Sequence, residues 1–131
     1  MKILVVDDEV VSRTKMKLIM NHFGLCIAVD NGLTAINSFK NALGYKKPFD
    51  IVTLDISMPD MDGMEVLARL RQMEVGAGVK RENQSIILMV TGDSDHSTVV
   101  ESIELGCDDY ISKPFKKSII VEKLERLGVE L

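Results

Sequence analysis

Short apolar runs and helical stripes alternate along this chain. Ile3-Leu4-Val5-Val6 is a continuous apolar run, as expected of a strand buried on both faces, and it stops at Asp7, Asp8 and Glu9. Helical spacing follows through Met16, Ile19, Met20 and Phe23, with Gly24 as a stop. Leu25 to Val29 is a second run, Asp30-Asn31-Gly32 a turn, and Ile36, Phe39 and Leu43 mark a second helix that ends near Gly44. A third strand, Ile51 to Leu54, ends abruptly at Asp55. Turn residues Pro59, Asp60, Asp62 and Gly63 come next, then a helix from about Met64 to Met73 that carries Leu67 and Leu70. Glu74 to Ser85 is polar and glycine-bearing. It exceeds the usual αβ connection of about 2–6 residues and reads as a surface loop with frayed ends. Ile86 to Val90 predicts a fourth strand, with Thr91-Gly92-Asp93 after it. A weak helix with Val99, Val100 and Ile103 ends at Gly106. Tyr110-Ile111 predicts a short fifth strand, Ser112-Lys113-Pro114 follows, and Ile120, Leu124 and Leu127 mark a last helix.

Five strands alternating with five helices predict an α/β fold with a parallel sheet covered on both faces. The 131 residues fit one domain spanning 1–131, with no repeat, linker or output domain expected. Hydrophobic content of 46% with 27% charge is that of an ordinary globular chain. A net charge of −4 offers no electrostatic footprint for DNA or RNA. No apolar run approaches the ~20 residues of a membrane span. The N-terminal run is too short for a signal peptide, so a cytoplasmic protein is expected. Cys26 and Cys107 lack metal-like spacing and read as buried reduced thiols; His22 and His96 form no ligand pattern.

In a parallel sheet the C-terminal strand ends share one edge, where open α/β sheets bind ligands. That edge would gather Asp7 and Asp8 from strand one, Asp55 from strand three, Thr91 from strand four and Lys113 from strand five. Three close carboxylates repel one another unless a proton or a cation intervenes. An oxygen-rich site of this kind suits Mg²⁺, which also tends to bind phosphate. Asp55 can then attack phosphorus in line to form an acyl phosphate, while Lys113 offsets charge on the equatorial oxygens and Thr91 donates its hydroxyl to one of them. Each residue also has an ordinary structural use. Asp7 and Asp8 suit a first helical turn, Asp55 a turn, Thr91 a cap, and Lys113 a charged surface. Four strand ends that all carry phosphate chemistry favour the site over four coincidences.

The pieces Leu4-Val-Val-Asp-Asp8, Leu54-Asp-Ile-Ser-Met-Pro-Asp-Met-Asp-Gly63, Val90-Thr91-Gly92 and Gly106-Cys-Asp-Asp-Tyr-Ile-Ser-Lys-Pro-Phe115 resemble the receiver (CheY-like) domain of two-component response regulators, over nearly the whole chain. The resemblance implies a flavodoxin-like (βα)5 fold with strand order 2-1-3-4-5. It implies that Asp55 is the phosphoacceptor and that Asp7, Asp8, Asp55 and the Ser57 backbone carbonyl bind Mg²⁺, with Mn²⁺ as a substitute. Thr91 and Tyr110 would be the switch residues, Lys113 the phosphate contact, and the Lys113-Pro114 bond cis. The side chains of Ser57 and Asp93 would tune phosphate lifetime. The implied partners are a sensor histidine kinase or phosphotransfer protein and a downstream protein target, with a surface of helix four, strand five and helix five as the switched face. The chain would be a monomer or weak dimer and no enzyme beyond its own phosphotransfer and autodephosphorylation. Extra length between Asp55 and Thr91, around Gly76–Gly78, departs from the family pattern.

Three other readings remain. The chain could be a receiver piece of a longer regulator. A haloacid dehalogenase-type phosphatase would want a second aspartate where Ser57 stands. A pseudo-receiver would take no phosphate although all the required side chains are present.

Overall fold

The computed structural model describes residues 1–92 and 96–131. The strands are β1 (Lys2–Val6), β2 (Leu25–Val29), β3 (Ile51–Asp55), β4 (Ile86–Thr91) and β5 (Asp109–Ser112). Between and after them lie α1 (Val10–Met20), α2 (Gly32–Gly44), α3 (Gly63–Gly76), α4 (His96–Glu104) and α5 (Lys117–Arg126). The sheet is parallel, in the order β2-β1-β3-β4-β5.

Strand residues alternate between two cores because successive side chains leave opposite faces of a strand. Leu4, Val6, Val52, Leu54, Ile87 and Met89 pack against α2 and α3 through Ala35, Phe39, Val66, Leu67 and Leu70. Ile3, Val5, Ile51, Leu88, Val90 and Ile111 pack against α1 and α5 through Met16, Met20, Ile120 and Leu124. Full burial of each large aliphatic side chain contributes roughly 1.5–3 kcal/mol. That is why the three central strands read as near-continuous apolar runs, with the buried Thr53 interrupting the one in β3.

Helix starts follow local chemistry. The Asn31 side chain accepts the Thr34 N–H at 2.8 Å to cap α2, and Asp62 accepts the Glu65 N–H at 3.0 Å to cap α3. Two stripe residues lie outside their expected helices. Phe23 follows α1, and Leu127 is the C-cap of α5. Gly24 does more than stop a helix, since a Cβ there would lie 2.2 Å from the Met1 carbonyl oxygen.

The expected frayed loop from Glu74 to Ser85 is where the structure departs most from the sequence reading. Helix α3 runs on to Gly76, and Arg81–Asn83 forms a 3-10 turn. Glu74 is 1% exposed. Its carboxylate accepts the Ser85 N–H at 2.7 Å and an Arg71 Nη1 bond at 2.8 Å. Arg71 also donates to the carbonyls of Gly106 at 2.9 Å and Ser85 at 2.8 Å, and to Asp108 at 2.9 Å. Asp108 in turn accepts the Ile87 N–H at 2.8 Å. This network pins both ends of the long connection and ties it to the turn before β5. Composition alone classed Glu74 as exposed because its partners lie far along the chain.

Candidate functional site

The register explains why two acids meet. Val5 pairs with Thr53 across β1 and β3, so two residues further along Asp7 stands beside Asp55 on the same face. Asp7 is 4% exposed and Asp55 is 2% exposed. Asp7, Asp8 and Asp55 each present a carboxylate oxygen, and all three oxygens lie within 4.8 Å of one another. The Asp7 carboxylate also accepts the Glu9 N–H at 2.9 Å, which fixes the turn into α1.

The loop after Asp55 is held from both sides. Ile56 donates its N–H to the Val90 carbonyl at 3.0 Å, and the Ile56 carbonyl accepts the Gly63 N–H at 2.8 Å. A Cβ on Gly63 would lie 2.2 Å from the Asp55 carbonyl oxygen, so only glycine lets α3 start this close to the end of β3. Asp60 takes a left-handed backbone, with φ at 68°, within the same turn.

Lys113 closes the group from β5. Its Nζ lies 3.3 Å from Asp7 Oδ2, 3.5 Å from Asp55 Oδ1 and 3.0 Å from Glu9 Oε1. Its N–H donates to the Thr91 carbonyl at 2.8 Å, and the Lys113–Pro114 peptide bond is cis. Burial alone would push the Lys113 ammonium down. The hydrogen bond to Glu9 and the charges of Asp55 and Asp7 outweigh burial, so its pKa is raised. Asp55 is pushed up to about 7, first by burial and then by the charge of Asp7; Lys113 opposes this, and contacts with Asp8 and Asp7 add to it. A carboxyl poised near neutrality between like charges is typical of a functional centre.

Two oxygens of the cluster, Asp8 Oδ1 and Asp55 Oδ2, are buried without a hydrogen-bond partner among the described residues. Buried orphan acceptors are costly. Hard carboxylate donors converging on one point are what Mg²⁺ requires. The residues present therefore fit a divalent cation, which Asp7, Asp8 and Asp55 would hold.

Of the residues singled out in the sequence, Asp7, Asp8, Asp55 and Lys113 meet directly. Thr91 is 4% exposed and stands one step beyond Val90, the β4 partner of Asp55. Ser57 is exposed, two residues past Asp55. Tyr110 lies further down β5, level with Met89 and half-buried. Asp93 lies outside the described residues. Glu9 was not singled out although it holds Lys113; its only signal was its place next to Asp7 and Asp8. Cys26 and Cys107 are free and buried, and burial pushes both thiols up.

The receiver-domain family of response regulators matches residues 3–125. The chemotaxis protein CheY of Listeria monocytogenes is 36% identical over 128 residues, covering 96% of this chain and 97% of that protein. CheY of Bacillus subtilis is 32% identical over 127 residues, covering 95% of each. A solved CheX–CheY–BeF3–Mg²⁺ complex from Borrelia burgdorferi superposes with a TM-score of 0.81 at 26% identity, covering 98% of this chain and 90% of that one. The receiver domain of the histidine kinase CKI1 from Arabidopsis thaliana, complexed with Mg²⁺, gives 0.82 at 27% identity, covering 96% and 90%. Agreement in sequence and topology over nearly the full length, with the acidic cluster at the expected strand ends, places this chain in the response regulator receiver domain family, as a CheY-like member.

Proposed function

We propose that Asp55 accepts a phosphoryl group from a phosphohistidine of a sensor histidine kinase or phosphotransfer protein, and that this switches a protein-binding face made of α4, β5 and α5. The observation that carries the reading is the setting of Asp55. It is a buried carboxylate with a pKa near 7, at the mouth of a parallel sheet, with an ammonium 3.5 Å away.

An Asp55 carboxylate oxygen attacks phosphorus. The phosphorus–nitrogen bond breaks, and its electron pair returns to the imidazole, which takes a proton from solvent. Lys113 already lies against Asp55 and follows the new charge onto a phosphoryl oxygen. The Thr91 hydroxyl, at the end of the adjacent strand, donates to another. Asp7, Asp8, Asp55 and, by the resemblance, the Ser57 carbonyl would hold Mg²⁺ (or Mn²⁺ in its place), which would supply neutralisation of charge on the phosphoryl oxygens. Water later attacks the phosphorus of the acyl phosphate, the bond from phosphorus to the Asp55 oxygen breaks, and the carboxylate and inorganic phosphate are released; the chemistry proposed for the chain is its own phosphorylation and dephosphorylation. By the resemblance to the family, the side chains of Ser57 and Asp93 would set the rate of that step.

Phosphorylation adds charge and acceptor oxygens beside Thr91. Movement of Thr91 toward them frees space for Tyr110, and the α4–β5–α5 face shifts toward a form that a downstream protein prefers. The setting we infer is cytoplasmic signalling; no described helix is long and apolar enough to cross a membrane.

Incubation with acetyl phosphate and Mg²⁺, read by intact mass, tests the chemistry. One added phosphoryl group is expected on the wild type and none on Asp55→Asn. Absence of an adduct at saturating Mg²⁺ refutes the proposal, and sustained turnover of phosphate esters would point to a phosphatase instead. Equal affinity of a captured partner for the two forms would refute the switch.

A further inference from the structure

Lys123, in the last turn of α5, sits in an unusual pair of contacts. Its Nζ lies 4.6 Å from the centroid of the Tyr110 ring and 3.2 Å from Asp109 Oδ1. The same Asp109 oxygen accepts the N–H of Tyr110 at 2.8 Å. One carboxylate therefore anchors both the backbone of Tyr110 and the ammonium that covers its ring. The Lys123 and Asp109 side chains are only 19% and 20% exposed, so water screens the arrangement weakly. The ring packs in part against the α2–α3 core and is left half-buried under the lysine.

An ammonium over a tyrosine face attracts the ring quadrupole and favours the ring position that keeps the contact. Any rotation of Tyr110 away from Lys123 loses that attraction. Asp109 keeps the lysine from following, because Asp109 is fixed to the strand. We propose that Lys123 is a positioning residue for Tyr110. Anchored by Asp109, it holds the ring half-buried as it stands here, and so biases the protein against the inward-turned form that phosphorylation favours on the reading of Tyr110 given above. The consequence for phosphorylation rests on the reading of Asp55 given above; the clamp itself rests on the contacts alone.

Linkage then fixes the direction of the effect. A residue that stabilises the resting form must weaken every ligand that prefers the other one. Beryllium fluoride with Mg²⁺, a stand-in for a phosphoryl group on a carboxylate, is an equilibrium probe of that preference. Lys123→Met keeps the length and apolar stem of the side chain and removes its charge. It is expected to tighten beryllium fluoride binding about two- to fivefold, the scale of one exposed to partly buried cation–π contact. Lys123→Arg, which retains a cation, is expected to bind as the wild type does. A purely structural role would weaken binding in Lys123→Met or leave it alone, and either result overturns the proposal.

A second readout is independent of Asp55. The Tyr110 ring signals in metal-free protein, identified against Tyr110→Phe, should move in Lys123→Met and stay in place in Lys123→Arg. The other tyrosine, Tyr45, is 81% exposed and gives a distinct reference. If the wild type binds no beryllium fluoride, the phosphoacceptor reading fails while the ring signals still decide the clamp. Ring signals unchanged in Lys123→Met overturn it outright.

Discussion

Replacing Asp55 by asparagine should stabilise the metal-free protein, and the gain should depend on pH. Asparagine keeps the shape of the side chain and removes its ionisation. Asp55 has a folded-state pKa of about 7 against an ordinary value of 3.8. The folded chain therefore holds a proton that the unfolded chain releases, between about pH 4 and pH 7. In that window stability falls as pH rises, and above it the full cost of ionising Asp55 remains. A displacement of that size corresponds to at most on the order of 4 kcal/mol, of which about 3 kcal/mol should develop between pH 5 and pH 8.5. Urea unfolding of both proteins in EDTA, followed by circular dichroism, measures it. The advantage of Asp55→Asn should be about 3 kcal/mol smaller at pH 5 than at pH 8.5. Saturating Mg²⁺ should shrink it, because the cation answers the same repulsion among Asp7, Asp8 and Asp55. Because metal and proton compete, the apparent Mg²⁺ affinity of the wild type should fall about tenfold between pH 8 and pH 6. An advantage for Asp55→Asn equal at both pH values would refute the claim that Asp55 is buried among like charges.

Two further substitutions test the frame around the site. Glu74→Ala strands the Arg71 guanidinium and the Ser85 N–H, and should cost about 3–5 kcal/mol in urea unfolding; a loss under 1 kcal/mol would show that the long connection is not pinned as described. Gly63→Ala forces the start of α3 away from the Asp55 carbonyl, and should weaken Mg²⁺ binding more than about tenfold by calorimetry, since a displacement of about 1 Å already disturbs a preorganised site; unchanged Mg²⁺ binding would show that this approach does not place Asp55.

Much of this protein is legible without coordinates because its signals are local. An apolar run such as Ile3 to Val6 is expected to be a strand buried on both sides, and Asp30-Asn31-Gly32 and Pro59 to Gly63 read as turns, within which the structure shows Asn31 and Asp62 capping the next helix. Strand alternation with helices then forces a parallel sheet, and a parallel sheet forces Asp7, Asp8, Asp55, Thr91 and Lys113 to one edge. Facts that depend on partners distant in the chain were hidden. Glu74 reads as loop polarity until Arg71, Ser85 and Asp108 surround it, and Glu9 reads as one more acid until Lys113 reaches it from 104 residues away. The pKa of Asp55 belongs to this second class, since burial and the distances to Asp7 and Lys113 set it. Residue order determined which groups arrive at the edge; packing decided how closely they approach and what charge they carry there. Coulomb energies and desolvation depend on ångströms in space, and separation along the chain does not encode those distances.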